Sequence, residues 1–318
     1  MDDVRPGDPP ADLTSRPLTP ADATAVFETM AAQELHDLGV VEIEEADIVG
    51  DWQRPSFDVA ASTVGVFDGD TMVGYAEFAA PDRGDAAVLP SHRGRGVGTW
   101  LAARMRDLAR SRGTTVVGMP VPEGSPGDRL LAALGYHVRW ESWVLKLPRG
   151  ATITERPLPE GYAVRAAEPA DYPDVHTVVE DAFLEWSVRD RETYEDFAAT
   201  TTERPGFAPW HLRVVTDGAG TVVAAAVVVV HDGDEGREAF ISRLATRRDQ
   251  RGRGLAQALM VDTFAVAREH GAEVCGLSTD SRTGALGLYE KVGMRVTSTW
   301  VNRAVDLTPS TSTPGDMA

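Results

Sequence analysis

The chain holds a single cysteine in 318 residues, so an intrachain disulfide is excluded and a reducing compartment fits. That residue, Cys275, sits in Glu273-Val274-Cys275-Gly276-Leu277, which reads as a buried strand. No histidine or asparagine lies near enough in sequence to complete a nucleophilic dyad. Lysine is nearly as scarce. Only Lys146 and Lys291 occur, and neither stands in the Gly-Lys-Ser or Gly-Lys-Thr of a nucleoside-triphosphate loop. The seven histidines form no pair at ligand spacing, so no metal site is indicated, and no Gly-x-Ser-x-Gly nucleophile motif appears. The longest apolar run, Val222 to Val230, has nine residues and is too short to span a bilayer. Positive charge is in deficit, with 31 basic against 49 acidic residues and a formal net charge of −18. A phosphate backbone demands the opposite sign, so neither nucleic acid nor a membrane is an expected partner. The excess acid mildly favours a cationic substrate through steering. The opening segment Met1 to Asp12 is acidic and proline-rich, unlike a secretory leader, and a cytoplasmic location is expected.

What is present centres on Arg251-Gly252-Arg253-Gly254-Leu255-Ala256. The preceding Phe240 to Thr246 reads as a strand. Leu255, Leu259, Thr263 and Val266 recur at helical spacing, and His270-Gly271 supplies a stop. A strand that turns through glycines into a helix start is an anion site, because unpaired main-chain N–H groups and the helix dipole face the same point. A dinucleotide fingerprint would need G-x-G-x-x-G with an acidic residue about 20 positions on, and the spacing here is Arg-x-x-Gly-x-Ala instead.

The same stretch occurs earlier as Arg93-Gly94-Arg95-Gly96-Val97-Gly98, at an offset of 158 residues, and Gly293 answers Gly135 at that offset. Arg165 and Glu168-Pro169-Ala170-Asp171 answer Arg16 and Thr19-Pro20-Ala21-Asp22 at an offset of 149. Two copies at half the chain length mean a duplicated domain rather than a solenoid. The expected organisation is a flexible tail over 1–12, an N-terminal domain over 13–148, a linker over 149–160, a C-terminal domain over 161–307 and a second tail over 308–318. The linker is placed by Pro148, Gly150, Pro157 and Pro159. Each copy reads as mixed α/β: a short strand, a helix, a hairpin, a strand leading into the glycine loop, a long helix and two closing strands around a short helix. Residues 41–56 have no clear pattern.

The doubled glycine loop resembles the pyrophosphate loop of the GCN5-related N-acetyltransferases, the GNAT family, which bind acetyl-coenzyme A. The resemblance implies two tandem domains, each a splayed mixed β-sheet flanked by helices. It implies that Leu244, Ala245 and Thr246 lie beside the pantetheine and thioester. Arg251, Gly252, Arg253, Gly254, Leu255 and Ala256 would hold the pyrophosphate. The run Gly284 to Met294 resembles the family's closing motif, in which Tyr289 protonates the departing thiolate; on residue pattern alone Tyr289 reads as a half-buried core aromatic, and the glycine loop beside it favours the acid. Ser281 stands where the family often has asparagine at the cofactor. Glu238 is the candidate base, its competing reading being a solvated strand-end carboxylate. Phe183, Glu185, Trp186 and Asp190, with Trp300 from the last strand, are the candidate acceptor-binding residues. The first copy keeps Arg93, Gly94, Gly96 and Gly98 for a cofactor. It has Leu131 where Tyr289 stands, so it is expected to be non-catalytic.

The implied function is acetyl transfer from acetyl-CoA to a primary amine of a small molecule, by direct attack in a ternary complex. The doubled architecture also resembles mycothiol synthase, which acetylates the cysteinyl amine of a pseudodisaccharide thiol. A reading of another class is a non-catalytic coenzyme A-binding sensor or scaffold.

Overall fold

The computed structural model describes residues 7–10, 12–79, 81–233 and 236–307. The tail expected at 308–318 lies outside these residues, as does most of that at 1–12. The first sequence copy forms β1 (Thr14–Arg16), α1 (Ala23–Leu38), α2 (Glu45–Trp52), α3 (Val59–Ser62), β2 (Thr63–Asp68), β3 (Thr71–Ala79), β4 (Arg83–Val88), α4 (Val97–Ser111), β5 (Val116–Pro122), α5 (Pro126–Ala133) and β6 (His137–Leu147). The second forms β7 (Ala163–Ala166), α6 (Tyr172–Phe183), α7 (Tyr194–Thr200), β8 (Leu212–Thr216), β9 (Val222–Gly233), β10 (Gly236–Thr246), α8 (Leu255–Glu269), β11 (Val274–Asp280), α9 (Leu286–Lys291) and β12 (Arg295–Asp306).

Both copies open with the same polar lock. Arg16 forks Asp22 at 2.9 and 2.7 Å while Asp22 accepts from the Thr19 main-chain N–H at 2.8 Å. Arg165 forks Asp171 at 2.5 and 2.9 Å, and Asp171 accepts from the N–H of Glu168 at 2.7 Å. The helix start is therefore capped from Asp22, not from the Thr19 hydroxyl, which itself donates to Asp22 at 2.9 Å.

Two compact units result, and they do not follow the two halves of the sequence. The first comprises Met1–Gln33, Asp58–Arg139 and Val301–Ala318; the second comprises Glu34–Phe57 and Trp140–Trp300. The expected division into 13–148 and 161–307 differs from these units in its closing strands and in Glu34–Phe57. In the second unit, Ser142–Leu147 of β6 pair antiparallel with Asp280–Cys275 of β11. In the first, β12 lies beside β5, Leu307 donates its N–H to Thr115 at 2.7 Å, and Arg303 bonds Asp128 at 2.6 Å. Periodicity identifies a strand but not which sheet edge it will join, since that choice is made by long-range pairing. The linker region is likewise built into the second unit, with Ile153 in its core beside Leu255 and Leu259.

Within the second unit the sheet order after β6 is β11, β10, β9, β8, β7, and α8 packs on one face. β10 and β11 are the parallel pair. Cys275 is buried there, and burial pushes its thiol up to about 11, so it packs as a small apolar residue.

Candidate active site

The site grows from the parting of β10 and β11. Their parallel ladder runs from Glu238 opposite Val274 to Ile241 opposite Leu277 and ends there, although both strands continue. β10 breaks register between Ile241 and Arg243, and the Ser242 hydroxyl donates to Val227 O at 3.3 Å. A bulge of this kind bends its strand and increases its twist. Beyond it, β10 stays paired with β9 as far as Thr246 opposite Ala224, while Ser278 to Asp280 pair with β6. The edge of β10 that faces β11 thus has main-chain groups without a strand partner.

A cavity of about 730 Å³ occupies this opening. Leu244, Ala245 and Thr246 line it from β10, and Arg251, Gly252, Gly254, Leu255 and Ala256 from the glycine loop. Phe183, Glu185 and Trp186 line it from the end of α6, and Tyr289 from α9. Gly252 and Gly254 have φ of 76° and 83°, in the left-handed region that glycine adopts without strain. Gly254 is the N-cap of α8 and has no side chain to satisfy the N–H groups of the first turn.

Not every expected residue is in the lining. Arg253 donates to the Tyr162 hydroxyl at 3.0 Å. Ser281 bonds the edge of β6, its N–H donating to Glu141 O at 2.9 Å. Trp300 donates to Ser298 at 3.3 Å, and the Asp190 carbonyl accepts from Arg189 at 2.9 Å. None of these four, nor Glu238, is among the residues lining the cavity. Glu238 is 6% exposed and bonds Lys146 Nζ at 2.7 Å, with His231 at 3.6 Å. Burial pushes its carboxyl up, but contact with His231 and Lys146 outweighs burial and holds it below the usual range, which weakens it as a base. Gly276 makes room for it, since a Cβ there would lie 2.7 Å from Glu238 Oε1. The position is filled by a buried ion pair that sequence pattern alone cannot distinguish from a base.

Sequence reasoning missed Arg156, Ser142, Asp280 and Thr283, all of which line the cavity. Asp280 accepts from Arg282 at 3.2 and 2.5 Å, and the Arg282 guanidinium lies 3.7 Å from the Trp140 ring and 4.8 Å from the Trp186 ring. The short Asp280 to Arg282 spacing was the available signal, but the tryptophans come from distant segments. Glu185, the other carboxylate of the lining, accepts both arms of Arg251 at 2.8 Å.

Residues 28–136 and 172–294 each match the acetyltransferase (GNAT) family. The chain belongs to the GNAT acetyltransferase family. It is 31% identical over 254 residues to a mycothiol acetyltransferase of Salinispora arenicola, covering 76% of this chain and 80% of the relative. A mycothiol acetyltransferase of Thermobispora bispora is 29% identical over 287 residues, covering 86% and 93%. Among solved structures, a GCN5-related N-acetyltransferase from Sphaerobacter thermophilus superposes with a TM-score of 0.71 at 25% identity, covering 94% of this chain and 97% of that one. A tandem GNAT protein from the clavulanic acid biosynthesis pathway shares the fold, with a TM-score of 0.69 at 19% identity over 94% and 99%.

The protein is therefore an acyltransferase of tandem GNAT architecture that uses acetyl-CoA. The GNAT loop of the second unit fits such a donor. Its two left-handed glycines leave the start of α8 bare, and arginines flank it. Tyr289 is 8% exposed at the cavity wall, and burial pushes its hydroxyl up to about 12. In the first unit Gly94 and Gly96 repeat the left-handed pair at φ of 75° and 87°, and Gly96 caps α4. Leu130 of α5 presses on Gly98, 2.8 Å from where a Cβ would stand, and Leu131 is 4% exposed in the core of that unit. Arg93 precedes this pair in the sequence.

Proposed function

We propose that the second unit carries the transfer and that its acceptor is the α-amine of a cysteinyl group on a small neutral molecule of the pseudodisaccharide-thiol kind. The observation behind this reading is that both carboxylates of the cavity, Glu185 and Asp280, are forked by arginines. Among the described residues, the cavity lining offers a polycation no carboxylate without an arginine partner, and offers the acceptor no free carboxylate as a base. An α-amine, with a pKa near about 7.7–8.0, is substantially neutral at physiological pH, whereas an alkylamine near about 10.4 is not. The α-amine can enter ready to attack or give its proton to water. The name shared by the curated relatives supports the same acceptor.

Acetyl-CoA supplies the activated acetyl group. Main-chain N–H groups of β10 past Ile241, where its ladder with β11 has ended, polarise the acetyl carbonyl in this reading. Tyr289 stays protonated at any physiological pH. Its pKa lies well above that of a thiol, near about 8.5, so it stabilises the departing thiolate by donating a hydrogen bond before any complete proton transfer.

The test is steady-state kinetics of Tyr289→Phe beside calorimetric titration of acetyl-CoA. The expected outcome is a kcat lower by about 10²-fold with donor affinity unchanged. An unaltered kcat would remove Tyr289 from the mechanism. In parallel, a cysteinyl-amine pseudodisaccharide is compared with spermidine as acceptor. A higher kcat/KM for spermidine would overturn the assignment.

A further inference from the structure

The segment that joins the two sequence copies runs antiparallel along α8 and is fastened near both of its ends. Arg149 pairs with Glu273 at 2.9 Å beyond the C-terminal end of α8. Arg268 donates to Ala151 O at 2.9 Å, Ile153 is buried in the core, and Gln257 in the first turn donates to Thr154 O at 2.7 Å. The next residues bring Arg156 to the start of the helix. A Cβ on Gly254 would lie 2.7 Å from Arg156 Cδ and 3.1 Å from its Nε, and Arg156 lines the cavity.

The other two arginines of the loop are occupied. Arg251 is held by Glu185 and by Thr246 O, and Arg253 by Tyr162. Among the described residues, no carboxylate forms an ion pair with Arg156, and no side chain bonds its guanidinium. A cation over the N-terminus of a helix opposes the macrodipole, and the opposition is relieved by an anion placed between them.

In the first unit, the strap at the corresponding place makes different contacts. Trp100 of α4 donates to Gly7 O at 2.9 Å, and Pro10 Cγ lies 3.6 Å from the Cβ position of Gly96. Between those contacts stands Asp8, and residues 7–10 contain no arginine. The strap of the second unit brings a cation to its glycine loop, and residues 7–10 of the first unit's strap carry none.

We infer that Arg156, from the segment joining the two copies, is a ligand for the donor's pyrophosphate at the loop of the second unit. This rests on the proposal that the second unit holds the donor. The Arg156 side chain lies over Gly254, so the anion is held between main-chain N–H groups on one side and Arg156 on the other. It also makes the joining segment part of the site rather than a spacer.

The test is calorimetric titration of acetyl-CoA and of acetyl-dephospho-CoA, which lacks the 3′-phosphate but keeps the pyrophosphate, into wild type, Arg156→Ala and Arg156→Lys. Melting temperatures of the ligand-free proteins are measured alongside. Arg156→Ala is expected to weaken both nucleotides by about three- to tenfold, with the melting temperature unchanged and Arg156→Lys recovering part of the loss. Equal affinities in wild type and Arg156→Ala would overturn the inference. So would a loss confined to acetyl-CoA, which would move Arg156 to the 3′-phosphate, or a loss accompanied by a fallen melting temperature, which would make its role structural. Absence of binding by the wild type would strike instead at the donor site itself.

Discussion

Tyr289 and Glu238 are both buried ionisable groups, and burial has opposite consequences for them. No charged partner offsets burial at Tyr289, so its hydroxyl rises to about 12 and stays a proton donor. The pH–rate profile should therefore be level in kcat between about pH 8.5 and pH 10, once the acceptor amine is neutral. A decline centred in that interval would exclude Tyr289 as the titrating acid. Its acid limb should follow the acceptor's own amine, and should move when acceptors of different basicity are compared. At Glu238, contact with His231 and Lys146 outweighs burial and lowers the carboxyl, while the Glu238 carboxylate raises His231. A depressed carboxyl stabilises above its ordinary value and loses that contribution as pH falls through the lower folded value. A raised imidazole stabilises below its ordinary value and loses that contribution as pH rises through the higher folded value. The cluster is most favourable between about pH 5 and pH 6.5. Glu238→Gln removes the ion-pair partner of Lys146 and should cost about 2–3 kcal/mol, less than a wholly buried pair because Lys146 is partly exposed and Glu42 also acts on it. Urea unfolding of both proteins at pH 6 and pH 3.5 checks this: the gap should narrow at the lower pH. A gap of the same size at both would show that Glu238 acts through packing alone.

The elements that line the cavity were those most legible in the sequence. The strand into the glycine loop, the loop itself and α8 have period, breakers and stop signals within a few residues of one another, and so does the hairpin of β2 and β3. The Arg16 and Arg165 locks are short-range and repeat with the copies. What escaped was ordered by partners far away in the chain. Residues 41–56 have no pattern because α2 is fixed from outside: Arg204 reaches Glu44 at 2.6 Å and Asp47 at 2.9 Å, and Gln53 donates to Ala199 O at 2.7 Å. The joining segment looked featureless because its order is borrowed from α8. That dependence gives a prediction at Gly254. With φ at 83° and Arg156 in the way, Gly254→Ala should lose about 1 kcal/mol to backbone strain and also displace Arg156, so stability and acetyl-CoA affinity fall together. At Gly252, with φ of 76°, a Cβ would meet nothing within 4 Å. Gly252→Ala should show the strain with a smaller loss of affinity. Melting temperatures and donor affinities of the two variants, taken together, test the contrast; equal affinity losses would rule out the Arg156 contact as the cause.

At the scale of the whole molecule, the duplication is visible in the sequence but the exchange of strands is not. The first unit needs Val301 onward from the end of the chain, and the second needs Glu34–Phe57 and Trp140–Leu147 from the first half. A cut in the joining segment therefore does not separate two self-sufficient domains. A fragment of residues 1–148 would lack the strand whose Leu307 pairs with Thr115 and whose Arg303 holds Asp128. A fragment of residues 149–318 would expose the β11 edge from Cys275 to Asp280, leave Glu238 without Lys146, and leave Arg204 without Glu44 and Asp47. An unpaired sheet edge recruits other chains, so each fragment made alone should aggregate or unfold without cooperativity. Co-expressed, the two should recover as a one-to-one complex that binds acetyl-CoA, because the pairing information is in the sequences rather than in the covalent joint. Size-exclusion chromatography and calorimetry of the separate and co-expressed fragments decide the matter. A cooperatively folding 149–318 fragment that binds acetyl-CoA as the intact protein does would mean that the exchanged strand is dispensable, and that the site is held by β9, β10 and α8 alone.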